Sequence, residues 1–329
     1  MKSLDIKLKN ILSSNYSSSD FIIADAKDAD MAAGIRAPGY IRKEDGTLTD
    51  KPSSYQSYLD KMESMTKSEE VDIMLMSMTS AERLINKKIF QNNSVTPAIR
   101  LNDTSCTWGM IRNGEYSKEE SRPFATAQLK HAINFADLGL YSITFNKNVD
   151  RDVRMLNLYR DFRAQAEQIK MRHFLEVFNS SVIDLSPIEM GEYVNDCILK
   201  TLSGQTNSER PIFLKIQFNG PKAMDELASY DPSGLVIGIL GGSQGTSRDC
   251  FELILQAHKY GARVALFGRK INLSENQNIM VKTMKIVVQE SITSEEAVKY
   301  YHNELLKINI KPDRELLKDL ELTDPTLIL

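Results

Sequence analysis

The sequence predicts a (β/α)8 barrel of the α/β class, and three observations carry that prediction. Eight apolar runs of strand length, rich in β-branched residues, recur along the chain. Amphipathic stretches of helical period separate them. No repeat, Pro-rich tract or Gly/Ser linker marks a boundary. The 329 residues are therefore read as one domain, with an N-terminal helix over about 1–19 and a C-terminal helical extension over about 278–329.

The strand runs are FIIADA (from Phe21), VDIMLMSM (Val71), VTPAIRL (Val95), LYSITFN (Leu140), HFLEVF (His173), IFLKIQF (Ile212), LVIGIL (Leu235) and RVALFG (Arg263). RDVRMLNLYRDFRAQAEQIK and TSRDCFELILQAHKYG read as helices between them, the second stopped by Gly261. Two connections are long: Lys27 to Glu70 after the first strand and Asn102 to Pro123 after the third. Both leave the barrel end where active sites are built, so both are lid candidates. The second holds Trp108, the only tryptophan, with Arg112 and Arg122; it reads either as a packed cap or as a substrate contact. Near the C-terminus, Thr293 and Glu296 form a capping-box pattern. The apolar tip TDPTLIL is free to pack on the barrel or on a neighbouring subunit, and a homo-oligomer is expected.

Composition excludes several classes of partner. A net charge of −3, with Lys and Arg dispersed, leaves no basic field for nucleic acid. No segment approaches the roughly 18 apolar residues that span a bilayer, and the N-terminus lacks the apolar core of a secretory signal, so no membrane partner and a cytoplasmic location are expected. Cys106, Cys197 and Cys250 are scattered, as are His131, His173, His258 and His302; neither a disulfide framework nor a metal site is expected, and no cofactor.

Chemistry enters at the sixth strand. Alternate side chains of a barrel strand face the interior, so IFLKIQF sends Phe213, Lys215 and Gln217 one way and Ile212, Leu214, Ile216 and Phe218 the other. The uniformly apolar set suits the helix layer, which turns Lys215 and Gln217 inward. Burial disfavours the ammonium, and a desolvated amine is the nucleophile that imine formation with a carbonyl requires. An interior ion pair with a carboxylate would also place a lysine there, and the two uses are compatible. Glu176, on the preceding strand, is the natural proton shuttle beside it. Asp25, grouped with Ile23 on the first strand, is a third candidate expected to face inward. Lys27, Asp28 and Asp30 follow at that strand's exit. Arg100 and Asn102 end the third strand, and Thr144 and Asn146 the fourth; Arg100, Asn146 and Gln217 are expected to bind the substrate. A purely structural barrel would hold Val, Ile or Leu at most of these positions.

The last two strands end in Gly241, Gly242 and Ser243, and in Gly268 and Arg269. Paired glycines admit an anion to the backbone, a helix start adds a favourable field, and Arg269 adds a charged fork. These loops are where barrels most often hold phosphate. The expected partner is a small anionic carbonyl compound.

LKIQFNG, LGGSQGTSRDCFELILQAHKYGA and LFGRKI together resemble the last three βα units of class I aldolases of the archaeal fructose-bisphosphate aldolase type, within the deoxyribose-phosphate aldolase superfamily. HFLEVFN is similar to the fifth strand of tagatose-bisphosphate and sulfo-sugar aldolases. The likeness is specific from about Leu140 to Arg269 and topological before that. It implies a metal-independent lyase acting on an anionic sugar or ketose: Lys215 as the Schiff-base residue, Glu176 and Asp25 in the site, and the phosphate on Gly241, Gly242, Gly268 and Arg269. The first strand reads ADAKDAD, without the family's Asp-His-Gly, and the fifth lacks its tyrosine, which implies a substrate other than fructose 1,6-bisphosphate. An isomerase, epimerase or transaldolase-like enzyme with an electrostatic lysine stays open, as does a non-catalytic sugar-phosphate-binding barrel.

Overall fold

The structure, a computed structural model, describes residues 1–13, 15–241 and 245–328. Each of the eight apolar runs forms a strand: β1 (Ile22–Lys27), β2 (Ile73–Met76), β3 (Thr96–Arg100), β4 (Leu138–Thr144), β5 (Arg172–Phe178), β6 (Leu214–Ile216), β7 (Ile237–Leu240) and β8 (Val264–Phe267). All pair in parallel with their sequence neighbours, and β8 returns to β1 to close a (β/α)8 barrel.

Period-two alternation sorts the side chains into two apolar layers. Ala24, Ala26, Ala98, Leu140, Phe174, Phe213 and Leu266 pack together inside the barrel. Ile23, Ile99, Leu175, Leu214, Ile216 and Phe267 face the helices. The interior is filled rather than hollow, with Phe174 and Phe213 stacked at 4.6 Å.

The N-terminal helix (Ser3–Leu12) spaces Leu4, Leu8 and Ile11 on one face, and all three join the interior cluster. It plugs one end of the barrel, each buried side chain contributing about 1.5–3 kcal/mol. Catalytic space is thereby confined to the other end.

The long connection after β1 folds into an antiparallel hairpin (Tyr40–Arg42 with Leu48–Pro52) and then the helix Tyr55–Ser68. The one after β3 is closed at its base by Asp103–Thr104 pairing with Pro123–Phe124. Beyond β8 lie helices Gln277–Gln289 and Ser294–Lys307, the latter started by the reciprocal Thr293–Glu296 cap, and a short turn of helix at Leu316–Asp319. The apolar tip packs on its own barrel: Leu327 is buried and its carbonyl accepts from Gln256. Among the described residues no helix is long and apolar enough to cross a membrane.

Candidate active site

Neighbouring parallel strands bring Lys215 and Glu176 level with one another, β6 against β5. Both face inward, above the Phe174–Phe213 layer, and the Lys215 Nζ lies 2.5 Å from Glu176 Oε1. Glu176 is 1% exposed and Lys215 5%. They stand at the floor of a cavity of about 370 Å³ that opens on the C-terminal side of the strands. Gln217 continues the same face and lines the cavity, its amide oxygen accepting from the Asn179 N–H.

Arg100, at the end of β3, organises the acids. Its Nε donates to Asp28 (2.5 Å), one terminal nitrogen to Asp103 (2.9 Å) and Ser142 (3.1 Å), and the other to Glu176 (3.2 Å). Ser142 in turn donates to Glu176 at 2.7 Å. Burial works to raise the Asp28 carboxyl, but the Arg100 and Lys215 charges outweigh it and hold it below its ordinary value. For Asp103 burial wins and pushes the carboxyl up to about 7, Arg100 opposing and Asp28 and Glu176 adding to the rise. Burial would lower the guanidinium, yet the three acids hold Arg100 above its ordinary value. Four of its five donors are already engaged, so Arg100, which lines the cavity, holds carboxylates where a substrate contact was expected.

Asp25 corrects a second expectation. On β1 it is Ala24 and Ala26 that face inward, followed by Asp28, while Ile23 packs toward the helices and Asp25 shares its side. There Asp25 is fully buried against Lys27, 2.6 Å away, and neither residue lines the cavity. Burial draws the Asp25 carboxyl up and the Lys27 ammonium down, each opposed by the other's charge. Asp28 takes the place foreseen for Asp25: it lines the cavity with Arg100, Glu176 and Lys215.

Asn146 holds the lid and does not line the cavity. Its side chain accepts from the Ser121 N–H (2.7 Å) and donates to the Ser121 carbonyl (3.0 Å), pinning the connection after β3. That connection covers the mouth with Cys106, Thr107, Gly109 and Met110. Trp108 packs within it, against Tyr116 and Phe124, as a small aromatic core.

At the opposite wall stand Gly241, Gly268 and Arg269. Gly242 and Ser243 lie outside the described residues. Gly241 is there for packing: a Cβ would come 2.6 Å from the Phe267 ring, and its N–H already donates to the Leu266 carbonyl. At Gly268 a Cβ would come 2.6 Å from the Ala26 carbonyl, so glycine lets the end of β8 close onto β1. The helix start after β7, expected to attract an anion, is filled by the chain's own acids. Ser247 N–H donates to Asp319 and Thr246 N–H to Asp249. Arg269 is different. Its side chain opens to the cavity, no acid or carbonyl among the described residues pairs with it, and burial alone lowers its pKa.

Sequence reasoning missed Asp28, Asp103 and Ser142 as partners of Arg100. The signal available was the polar residue at each strand's exit; their convergence was not visible. Among the described residues no group of three His, Cys, Asp or Glu side chains is arranged to hold a metal ion.

Among solved structures, a Schiff-base-forming fructose-1,6-bisphosphate aldolase is similar at 15% identity, covering 87% of this chain and 99% of its own, with TM-score 0.59. A fructose-bisphosphate aldolase from Slackia heliotrinireducens is similar at 10% identity, covering 92% and 90%, with TM-score 0.63. An archaeal fructose 1,6-bisphosphate aldolase is similar at 15% identity, covering 87% and 99%, with TM-score 0.58. At this identity the likeness establishes the shared barrel. No family model and no curated protein matches the sequence.

Proposed function

We propose that this chain is a class I aldolase, cleaving or forming a C–C bond in a phosphorylated or otherwise anionic sugar or ketose through a Schiff base on Lys215. The observation that carries the reading is the Lys215–Glu176 contact of 2.5 Å at the floor of an open cavity. The similarity in fold to Schiff-base aldolases supports it.

The chemistry follows from the placement of acids around one amine. Glu176 takes a proton from Lys215, and the free amine attacks the substrate carbonyl to form the C–N bond. Protons returned through Glu176 convert the carbonyl oxygen first to a hydroxyl and then to departing water, leaving an iminium. In the cleavage direction Asp28, lining the same cavity, removes the proton from the hydroxyl two carbons away. The C–C bond breaks, its electron pair enters the iminium as an enamine, and an aldehyde leaves. Reprotonation of the enamine carbon and hydrolysis release the ketone and restore Lys215.

Arg269 is the group for the substrate's anion. A cation without a counter-ion at the cavity wall attracts a charged substituent and fixes the distance from it to Lys215. The acceptors around the amine, Asp28, Glu176 and Gln217, favour a substrate that presents hydroxyl donors near its carbonyl over a 2-oxo acid, whose carboxylate they would repel. The reading is metal-independent, since the electron sink is the iminium.

The test is borohydride reduction with dihydroxyacetone phosphate and a panel of other hydroxyketones, followed by intact mass and peptide mapping. The expected result is one reduced adduct on Lys215, absent from Lys215→Met. No adduct at Lys215 across the panel would overturn the covalent reading.

A further inference from the structure

A second chamber, of about 500 Å³, lies on the far side of Arg269 from Lys215, between the hairpin after β1 and the C-terminal extension. The two cavities share Ala29, Met110, Arg269 and Lys270 as wall, while Lys215, Glu176 and Asp28 belong to the first alone.

The polar groups of this chamber divide into those already matched and those left over. Arg42 is matched by both oxygens of Asp313 and Arg314 by Asp319, whereas Arg36 donates to the Met110 carbonyl and Lys270 to the carbonyls of Gly245 and Thr246. Asp319 is matched by Ser247 and His302, and Glu275 by Tyr301 and the Asp313 N–H. Three groups with bonding capacity to spare define a site.

The first is Lys61, from the helix Tyr55–Ser68. It meets no carboxylate and donates only to the Pro38 carbonyl (3.4 Å) and the Asn272 carbonyl (3.2 Å), so one of its three N–H groups is uncommitted. Burial lowers its pKa to about 8, Lys27 and Arg42 adding to the fall and Asp25 opposing. Its surroundings are net cationic. The second is Arg269, at the shared wall and without a partner among the described residues. The third is the Asn272 side-chain oxygen, an acceptor in a residue only 3% exposed, with no partner in the structure. Cations that meet no acid among the described residues suit a dianion, and an orphaned buried acceptor suits a donor on the ligand's body. Between them, Ala33, Leu48, Leu273 and Met280 offer an apolar wall for a ring-sized group.

We propose that this chamber is a second ligand site, taking a phosphate monoester with a ring-sized body that bears hydrogen-bond donors, its phosphate pairing with Lys61. The class is that of a nucleoside monophosphate. The site shares Arg269 with the cavity at Lys215 but rests on Lys61 and Asn272, which that cavity does not use, so its test is separate from the chemistry at Lys215.

The probe is bromodeoxyuridine monophosphate, soaked into crystals of the full chain and titrated by calorimetry. Bromine anomalous signal is expected among Ala33, Leu48 and Leu273. Affinity is expected to fall at least about tenfold in Lys61→Met, to stay within about threefold in Lys61→Arg, and to be unchanged in Lys215→Met. Bromine absent from the chamber in the unmodified protein would overturn the proposal without any variant. So would Lys61→Met crystals that hold the probe at the same occupancy, or Lys215→Met crystals that lose it equally.

Discussion

Replacing Arg100 by methionine probes the element on which the candidate site most depends. The guanidinium is 5% exposed and is bonded to Asp28, Asp103, Glu176 and Ser142. Methionine fills much of the same volume and supplies no charge. Three buried acids would then lose the guanidinium they share, with Lys215 left beside Glu176 and Asp28, and removing one member of a buried ion pair costs about 3–5 kcal/mol. Unfolding entropy near 2.1 cal/mol/K per residue gives roughly 0.7 kcal/mol/K for 329 residues, so Tm should fall by about 4–7 °C. The sign with pH is also fixed. Asp28 is held below its ordinary value by Arg100, so in the unmodified protein its contribution is present above about pH 4. Without Arg100 burial prevails and its carboxyl rises, as Asp103 already does. Acids raised in the folded state bind more protons there than in the unfolded chain, so the variant loses stability as pH rises from about 5 to 8. Calorimetry of both proteins across that range is the assay. Lys118→Met, which breaks an exposed pair with Glu115, is the control and should move Tm by about 1 °C or less. A deficit for Arg100→Met as small as the control's, or one that does not widen with pH, would refute the reasoning.

Glu176→Gln keeps an acceptor for Ser142 and Arg100 but removes the base beside Lys215; the rate of borohydride-trapped adduct should drop by about 10²–10⁴-fold. Arg269→Leu should raise KM at least about tenfold for phosphorylated substrates, leave unphosphorylated ones unaffected, and change Tm by less than about 1 °C because no partner is lost. Asp319→Ala leaves the Ser247 N–H and His302 without their acceptor, a loss of about 1–3 kcal/mol that hydrogen exchange should locate in residues 316–328. Burial acts to raise the Asp319 carboxyl, but bonds from His302 and Ser247 hold it below its ordinary value. Protection of that segment should accordingly be full above about pH 4 and fade as pH falls further, and Asp319→Ala should abolish this dependence.

The inward turn of Lys215 was legible because IFLKIQF leaves its opposite face wholly apolar, and only one orientation buries that face against helices. On β5 the sequence left the direction of Glu176 open, since Phe174 and Phe178 share its face and His173 interrupts the other; the structure turns it inward with Phe174. The same rule misleads on β1, whose wholly apolar alternation, Ile22, Ala24 and Ala26, faces the barrel interior and leaves Asp25 and Lys27 on the helix side. Asp25 and Lys27, opposite charges two residues apart on one face, were the signal that this face satisfies itself. The barrel interior at that level accepts alanine, and the acid that reaches the cavity is Asp28, just past the strand.

Local patterning alone thus determined the eight strands, the direction of Lys215 and Gln217, the cap at Thr293 and the two long connections. Each of these depends on residues a few positions apart, and backbone geometry fixes how such residues share a face. Tertiary structure decided what Arg100 does, because its three acids arrive from β1, the lid and β5. It also decided that Asp319, some 70 residues along the chain, fills the helix start after β7, while Arg269 meets no acid among the described residues. Those are matters of which charges run out of partners. A sequence names the charges, but only the folded chain brings them close enough to cancel.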